Sequence, residues 1–158
     1  MKKQFLPLML LASAICSCSE KQPETSEPMI TKTEIQVENG LLTPEIMHRL
    51  GKVGDVQVSP NHAKILYGVT YTSIEQNKGN RELYLMNVDG SENVKITNTP
   101  KSESNARWIN DSQIIYMRSG KLYTATIEGS TLKNETEVAG AEGMESFELS
   151  PAGDKIMF

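Results

Sequence analysis

Two short phrases recur along this chain, and their recurrence constrains its fold more than any other feature. The first is Val56-Gln57-Val58-Ser59-Pro60-Asn61-His62-Ala63-Lys64-Ile65-Leu66-Tyr67, which returns as Phe147-Glu148-Leu149-Ser150-Pro151-Ala152-Gly153-Asp154-Lys155-Ile156-Met157-Phe158. A looser copy, Ala106-Arg107-Trp108-Ile109-Asn110-Asp111-Ser112-Gln113-Ile114-Ile115-Tyr116, lies between them. The second phrase, Glu82-Leu83-Tyr84-Leu85-Met86-Asn87-Val88-Asp89-Gly90-Ser91, returns as Lys121-Leu122-Tyr123-Thr124-Ala125-Thr126-Ile127-Glu128-Gly129-Ser130. Within each copy the apolar residues alternate or form short β-branched and aromatic runs bounded by turn residues, the pattern of short strands. Ser-Pro followed by polar residues predicts a hairpin, because proline presets its own φ. Asp89-Gly90 and Glu128-Gly129 put glycine where a tight turn requires positive φ.

A spacing of about forty residues with four short strands per copy is that of a propeller blade. The fold class that follows is all-β: a partial β-propeller of about two and a third four-stranded blades. The blades are predicted over residues 53–97, 105–139 and 144–158, within an incomplete propeller spanning 41–158. Ile65-Tyr67-Val69 and Leu83-Leu85-Asn87 would each present a face to a neighbouring blade, since one four-stranded sheet cannot bury both faces alone. A ring needs at least about four blades to close, so the chain supplies an open stretch of one.

Just upstream, Leu42-Thr43-Pro44-Glu45-Ile46-Met47-His48-Arg49-Leu50 predicts one short helix. Thr43 is the N-cap, Pro44 takes the first helical position and Glu45 the first turn, with Gly51 as the stop. Leu42, Ile46, Met47 and Leu50 can share one face.

The first residues bear on compartment. Met1-Lys2-Lys3 is a positive start, and Phe5 to Ile15 is a mostly apolar stretch too short to span a bilayer, so 1–17 reads as a signal peptide. Its end, Ile15-Cys16-Ser17-Cys18, resembles the bacterial lipobox; by that resemblance Cys18 becomes the lipidated N-terminus. Cleavage after Ala12-Ser13-Ala14 is the competing reading, and it leaves both cysteines in the product. With Cys16 removed and Cys18 acylated, no thiol remains for disulfide, metal or nucleophilic work. Residues 18–40 are polar and rich in Glu, Lys, Thr and Pro, the composition of a flexible tether. Glu20, Glu24 and Glu27 loosely resemble the export signals of surface lipoproteins, and equally suit a solvated linker. The compartment implied is the envelope of a Gram-negative bacterium, periplasmic or surface-exposed, with the membrane engaged through Cys18.

The remaining chemistry is sparse. A net charge of −4 over 158 residues lacks the basic footprint of a nucleic-acid binder. There is no H-E-x-x-H, C-x-x-C or calcium loop, so neither metal nor cofactor is expected. No G-x-S-x-G elbow occurs, and no catalytic residue is assigned. His48 on the helix and His62 at a hairpin tip lack a serine and a carboxylate to work with. Arg107 and Arg118 could line a pore or form surface ion pairs. Glu142 and Glu145 form an acidic pair in a glycine-rich link between blades.

Ser-Pro-x-x-x-Lys-Ile followed by Leu66-Tyr67 or Met157-Phe158, together with Leu83-Tyr84-Leu85-Met86-Asn87-Val88-Asp89-Gly90-Ser91, resembles the TolB-type propeller repeat. The opening phrase from Leu42-Thr43-Pro44-Glu45 through Arg49-Leu50-Gly51-Lys52-Val53-Gly54-Asp55-Val56, with Asn80-Arg81-Glu82-Leu83-Tyr84, is similar to the start of the propeller in prolyl-oligopeptidase-family serine peptidases. The likeness is to bacterial dipeptidyl-peptidase and acylaminoacyl-peptidase types. It implies a propeller that gates access of short peptides to an α/β-hydrolase domain absent from these residues. It also implies that Glu142 and Glu145 could hold a substrate's free amine. The other reading is a TolB-like envelope scaffold that binds proteins.

Overall fold

The structure, a computed structural model, describes residues 28–157. The expected signal peptide, Cys18, the expected tether up to residue 27 and Phe158 lie outside the described residues. From Pro28 to Thr43 the chain forms no helix or strand. It nonetheless touches the first sheet: Gln76 Nε2 donates to the Pro28 carbonyl at 3.0 Å.

Helix α1 (Pro44–Arg49) starts as its sequence requires, with Thr43 in extended geometry and its hydroxyl accepting from the Ile46 N–H at 3.4 Å. The helix buries no residue completely, and Leu42, Met47 and Leu50 are exposed. Gly51 ends it against the strand that carries Val69: a Cβ there would lie 2.8 Å from Val69 Cγ1.

Three antiparallel sheets follow. The first has the order β1 (Lys52–Val58), β2 (Lys64–Ser73), β3 (Lys78–Asn87), β4 (Val94–Lys95). The second repeats that meander as β5 (Glu103–Trp108), β6 (Gln113–Arg118), β7 (Lys121–Glu128) and β8 (Thr131–Glu142). The third is a hairpin of β9 (Glu148–Leu149) and β10 (Ile156–Met157). No sheet among the described residues closes on itself.

The repetition extends below the level of topology. Both first strands carry a bulge, between Gly54 and Gln57 in β1 and between Ser104 and Arg107 in β5. Asp55 and Asn105 take positive φ there, at 51° each, in the region Asn and Asp tolerate best. The two bulges are stitched together: Asn105 N–H donates to Asp55 Oδ2 at 3.1 Å, and Asn105 Nδ2 donates to the Phe147 carbonyl at 2.8 Å. Cross-strand register also places the same stacked tyrosine pair in each sheet, Tyr67 with Tyr84 (5.5 Å) and Tyr116 with Tyr123 (6.0 Å).

Packing is face to face and serial. Leu66, Leu83 and Leu85 of the first sheet meet Ala106, Trp108, Ile114, Tyr116, Ala125 and Ile127 of the second in one core. The second sheet's other face, through Ile115, Met117, Leu122 and Ala141, packs on Phe147. A sheet covered on both faces needs a continuous apolar run, and Ile114-Ile115-Tyr116-Met117 is buried throughout. In the first sheet, Leu83 and Leu85 face the second sheet, while Ile65 and Tyr67 alternate onto the opposite face and stay half-buried.

The Ser-Pro loops are hairpins, as their residues require. Ser59 N–H bonds the Lys64 carbonyl at 2.8 Å and Ser150 N–H bonds the Lys155 carbonyl at 2.9 Å, with each serine hydroxyl also accepting from the backbone. The fourth loop position is left-handed in both, as His62 (φ 58°) and Gly153 (φ 70°). At Gly153 a Cβ would stand 2.9 Å from the Ile109 carbonyl oxygen, which is backbone and cannot step aside. Gly153→Ala is therefore expected to destabilise the chain by about 2 kcal/mol, from the left-handed penalty and the clash together. His62→Gly at the equivalent, open position should stay within about 1 kcal/mol of neutral, because relief of strain offsets added chain entropy. Urea unfolding of the two variants checks both.

Candidate functional site

The residues singled out in the sequence are dispersed. His48 and His62 are both exposed, one on α1 and one at the first hairpin tip. Glu142 ends β8 opposite Lys121, and Glu145 follows in the link to β9; both are exposed. Arg107 donates to the Ala106 carbonyl at 3.0 Å and stands 3.8 Å from Glu148. Asp89 is taken up by its turn, accepting from the Ser91 N–H at 2.9 Å and the Ser91 hydroxyl at 2.6 Å, which hold its carboxyl below the ordinary range. Among the described residues no three His, Cys, Asp or Glu side chains gather as a metal site, and no helix is long and apolar enough to cross a membrane.

What the fold does assemble is a polar joint where the linker from β4 to β5 passes the edge of the first sheet. Glu82, on β3, is 2% exposed. Its Oε2 accepts from the Thr97 hydroxyl at 2.7 Å, and its Oε1 from the Thr99 N–H at 3.1 Å and Asn80 Nδ2 at 3.4 Å. Thr97 in turn accepts from the Leu83 N–H at 2.8 Å, so one threonine replaces the ladder partner that β4 is too short to supply. Glu103, at the start of β5, is completely buried. Its Oε1 lies 2.7 Å from Thr99 Oγ1, while its Oε2 has no hydrogen-bond partner. Burial pushes the Glu103 carboxyl up to about 7, against the Thr99 hydrogen bond and with the help of the Glu82 charge.

Arg118 is the cation of this region, and it is committed elsewhere. Both its terminal nitrogens donate to the Glu135 carboxylate, which also accepts from the Tyr116 hydroxyl. The guanidinium lies 4.2 Å from the Tyr123 ring centroid. Burial opposes ionisation of Glu135, yet the hydrogen bonds from Arg118 and Tyr116 prevail and hold it below the ordinary carboxylate range. A cleft of about 410 Å³ opens beside this group, lined by Thr97, Thr99, Arg118 and Glu135 among others. Arg118 was legible only as a pore or surface cation; Glu82, mid-strand between Arg81 and Leu83, and Glu103, between two serines at the start of β5, carried no sequence signal of burial.

A second anchored arginine, Arg81, ties the inner strands. It reaches across Gly68 and Gly54 to Asp55 Oδ2 at 2.9 Å. A Cβ on Gly68 would meet Arg81 Nε at 2.2 Å, so the glycine is what gives the guanidinium its place.

Against proteins of known activity, the chain is 26% identical over 131 residues to dipeptidyl-peptidase 5 of Porphyromonas endodontalis, covering 80% of this chain and 19% of that protein. It is 34% identical over 80 residues to dipeptidyl-peptidase 5 of Porphyromonas gingivalis, covering 51% of this chain and 12% of that protein. The resemblance is to dipeptidyl-peptidases. It is partial: the chain spans less than a fifth of the length of these relatives. No family model matches. The all-β architecture of antiparallel sheets and the distant likeness to a dipeptidyl-peptidase agree with the reading of the repeats to that extent.

Proposed function

We propose that this chain is a β-propeller segment of a membrane-anchored serine peptidase of dipeptidyl-peptidase type, and that its role there is to gate access of short peptides to a hydrolase domain. The observation that carries this reading is the 26% identity to a dipeptidyl-peptidase across 131 residues. The serial packing of two matching four-stranded meanders supports it, because stacked blades bury one another's faces in that manner. The propeller frame supplies no nucleophile; it supplies a wall and a charge. Glu142 and Glu145 are exposed, and among the described residues neither carboxylate is held in a hydrogen bond or a close ion pair, although Glu142 stands opposite Lys121; the proposal assigns them to contact with a substrate's ammonium group. Cys18, acylated, holds the assembly on the envelope membrane.

The test uses the native protein isolated from cells. It should release dipeptides from chromogenic substrates with a free amine and be labelled by a fluorophosphonate probe. Glu142→Gln with Glu145→Gln should raise KM about ten- to hundredfold with kcat little changed, as loss of charge-assisted hydrogen bonds to the amine requires. A native polypeptide carrying residues 41–157 that no fluorophosphonate labels would overturn the reading.

A further inference from the structure

Thr99 hands the joint an unbalanced count of protons. Its hydroxyl oxygen lies 2.6 Å from the Lys101 carbonyl oxygen and 2.7 Å from Glu103 Oε1, and it accepts from the Lys101 N–H at 3.1 Å. A hydroxyl has one proton, and a carbonyl can only accept. If the Thr99 proton goes to the Lys101 carbonyl, the contact with Glu103 has no proton unless Glu103 brings it. The charges lead to the same place. Arg118 is the cation beside Glu103, 3.6 Å from Oε1, but its hydrogen bonds go to Glu135. Glu82 faces three donors and is suited to be ionised. Glu103 faces no committed donor and is fully buried with one oxygen bare. With Arg118 shared between Glu103 and Glu135 and hydrogen-bonded to Glu135, two ionised carboxylates there would put more buried negative charge at the joint than this one cation balances, which is costly.

We propose that Glu103 is a proton-binding site, holding a carboxylic proton through the mildly acid range up to neutrality and donating it to Thr99 while Glu82 carries the negative charge. Thr99 then bridges the two, and the proton locks the linker between the first and second sheets. The groups facing the site are Asn80 and Glu82 from β3, Thr97, Thr99 and Lys101 from the linker, Tyr116 and Arg118 from β6, and Glu135 from β8.

The direction of the pH dependence follows from linkage. A carboxyl that holds its proton longer in the folded chain than in the unfolded one makes the fold lose stability as pH rises. The stability is complete below the ordinary glutamate value of 4.5 and gone above about 7. Other described carboxylates with a resolved shift, such as Glu135 and Glu137, are lowered and act at more acid pH.

Urea unfolding of the full chain, followed between about pH 4.5 and about pH 8, should show the unfolding constant rising by up to about 300-fold. Glu103→Gln keeps a donor for Thr99 and should flatten that profile, which also separates it from the exposed His48 and His62. In the wild-type chain with carboxyl-labelled glutamate, one carbon resonance should titrate near neutrality. Two results would overturn the proposal: every glutamate carboxyl titrating below about pH 6, or Ca²⁺ restoring stability at about pH 8 in wild type but not in Glu103→Gln. The second would make the site one for a hard cation. The resonance titration stands even if the variant fails to fold.

Discussion

Leu85→Ala is expected to cost about 2–5 kcal/mol of stability, the range for truncating a buried leucine in a core that cannot collapse around the loss. Leu85 is 1% exposed and stands in the seam between the two sheets, paired with Leu66 on its own sheet and packed with the Trp108–Ile114–Tyr116 group of the next. Backbone ladders fix both sheets, so neither can slide inward to fill the space. A loss of that size is a large part of the whole stability of an ordinary domain. Val88→Ala, at a residue 52% exposed beyond the end of β3, should change stability by less than about 0.5 kcal/mol. Urea titrations of both variants, with Trp108 fluorescence as the probe, give the comparison. Equal effects would mean that the sheets do not share a core.

Glu82→Ala should be nearly as damaging, at about 3–5 kcal/mol, for a different reason. The substitution removes little apolar contact. It strips the acceptor from the Thr97 hydroxyl, the Thr99 N–H and Asn80 Nδ2 in a place water does not reach. Each buried donor left without a partner costs about 1–3 kcal/mol. Thr97 would also be free to turn away from the Leu83 N–H, loosening the edge of β3. Thr97→Val tests the same linkage from the other side and should cost less, since Glu82 keeps two of its donors. A Glu82→Ala variant as stable as wild type would show the joint to be hydrated.

How much of this was legible in the sequence depended on whether the cause was local. The Ser-Pro hairpins, the Asp89-Gly90 turn and the capped helix from Pro44 to Arg49 were readable, because each is decided by a few adjacent residues. The two copies of the four-strand meander were readable from self-similarity. The bulges at Asp55 and Asn105 were not. A bulge is a property of two strands in register, and its residues pass for ordinary strand residues in one dimension. Burial of Glu82 and Glu103 was equally invisible, because it is imposed by the path of residues 96–102 around the sheet edge. The second phrase begins at Glu82 and its copy at Lys121, two charged residues of opposite sign, a pairing that carries no sign of burial. In the fold Lys121 is surface-paired with Glu137 at 2.8 Å, whereas Glu82 is enclosed. The repeat preserved the strand and changed its environment.

The sheet that opens the chain poses the sharpest question. Ile65, Tyr67, Tyr84 and Met86 are half-buried on a face whose counterpart in the second sheet, Ile114, Tyr116, Tyr123 and Ala125, is covered by the first. If the sheets are neighbouring blades, that face belongs against a further four-stranded sheet. Determining the structure of the native, full-length protein measures this directly. The expected result is a ring in which β1–β4 and β5–β8 are adjacent blades and the Tyr67–Tyr84 face is covered by another blade. A native protein in which that face stays open to solvent, or is covered by helices, would contradict it.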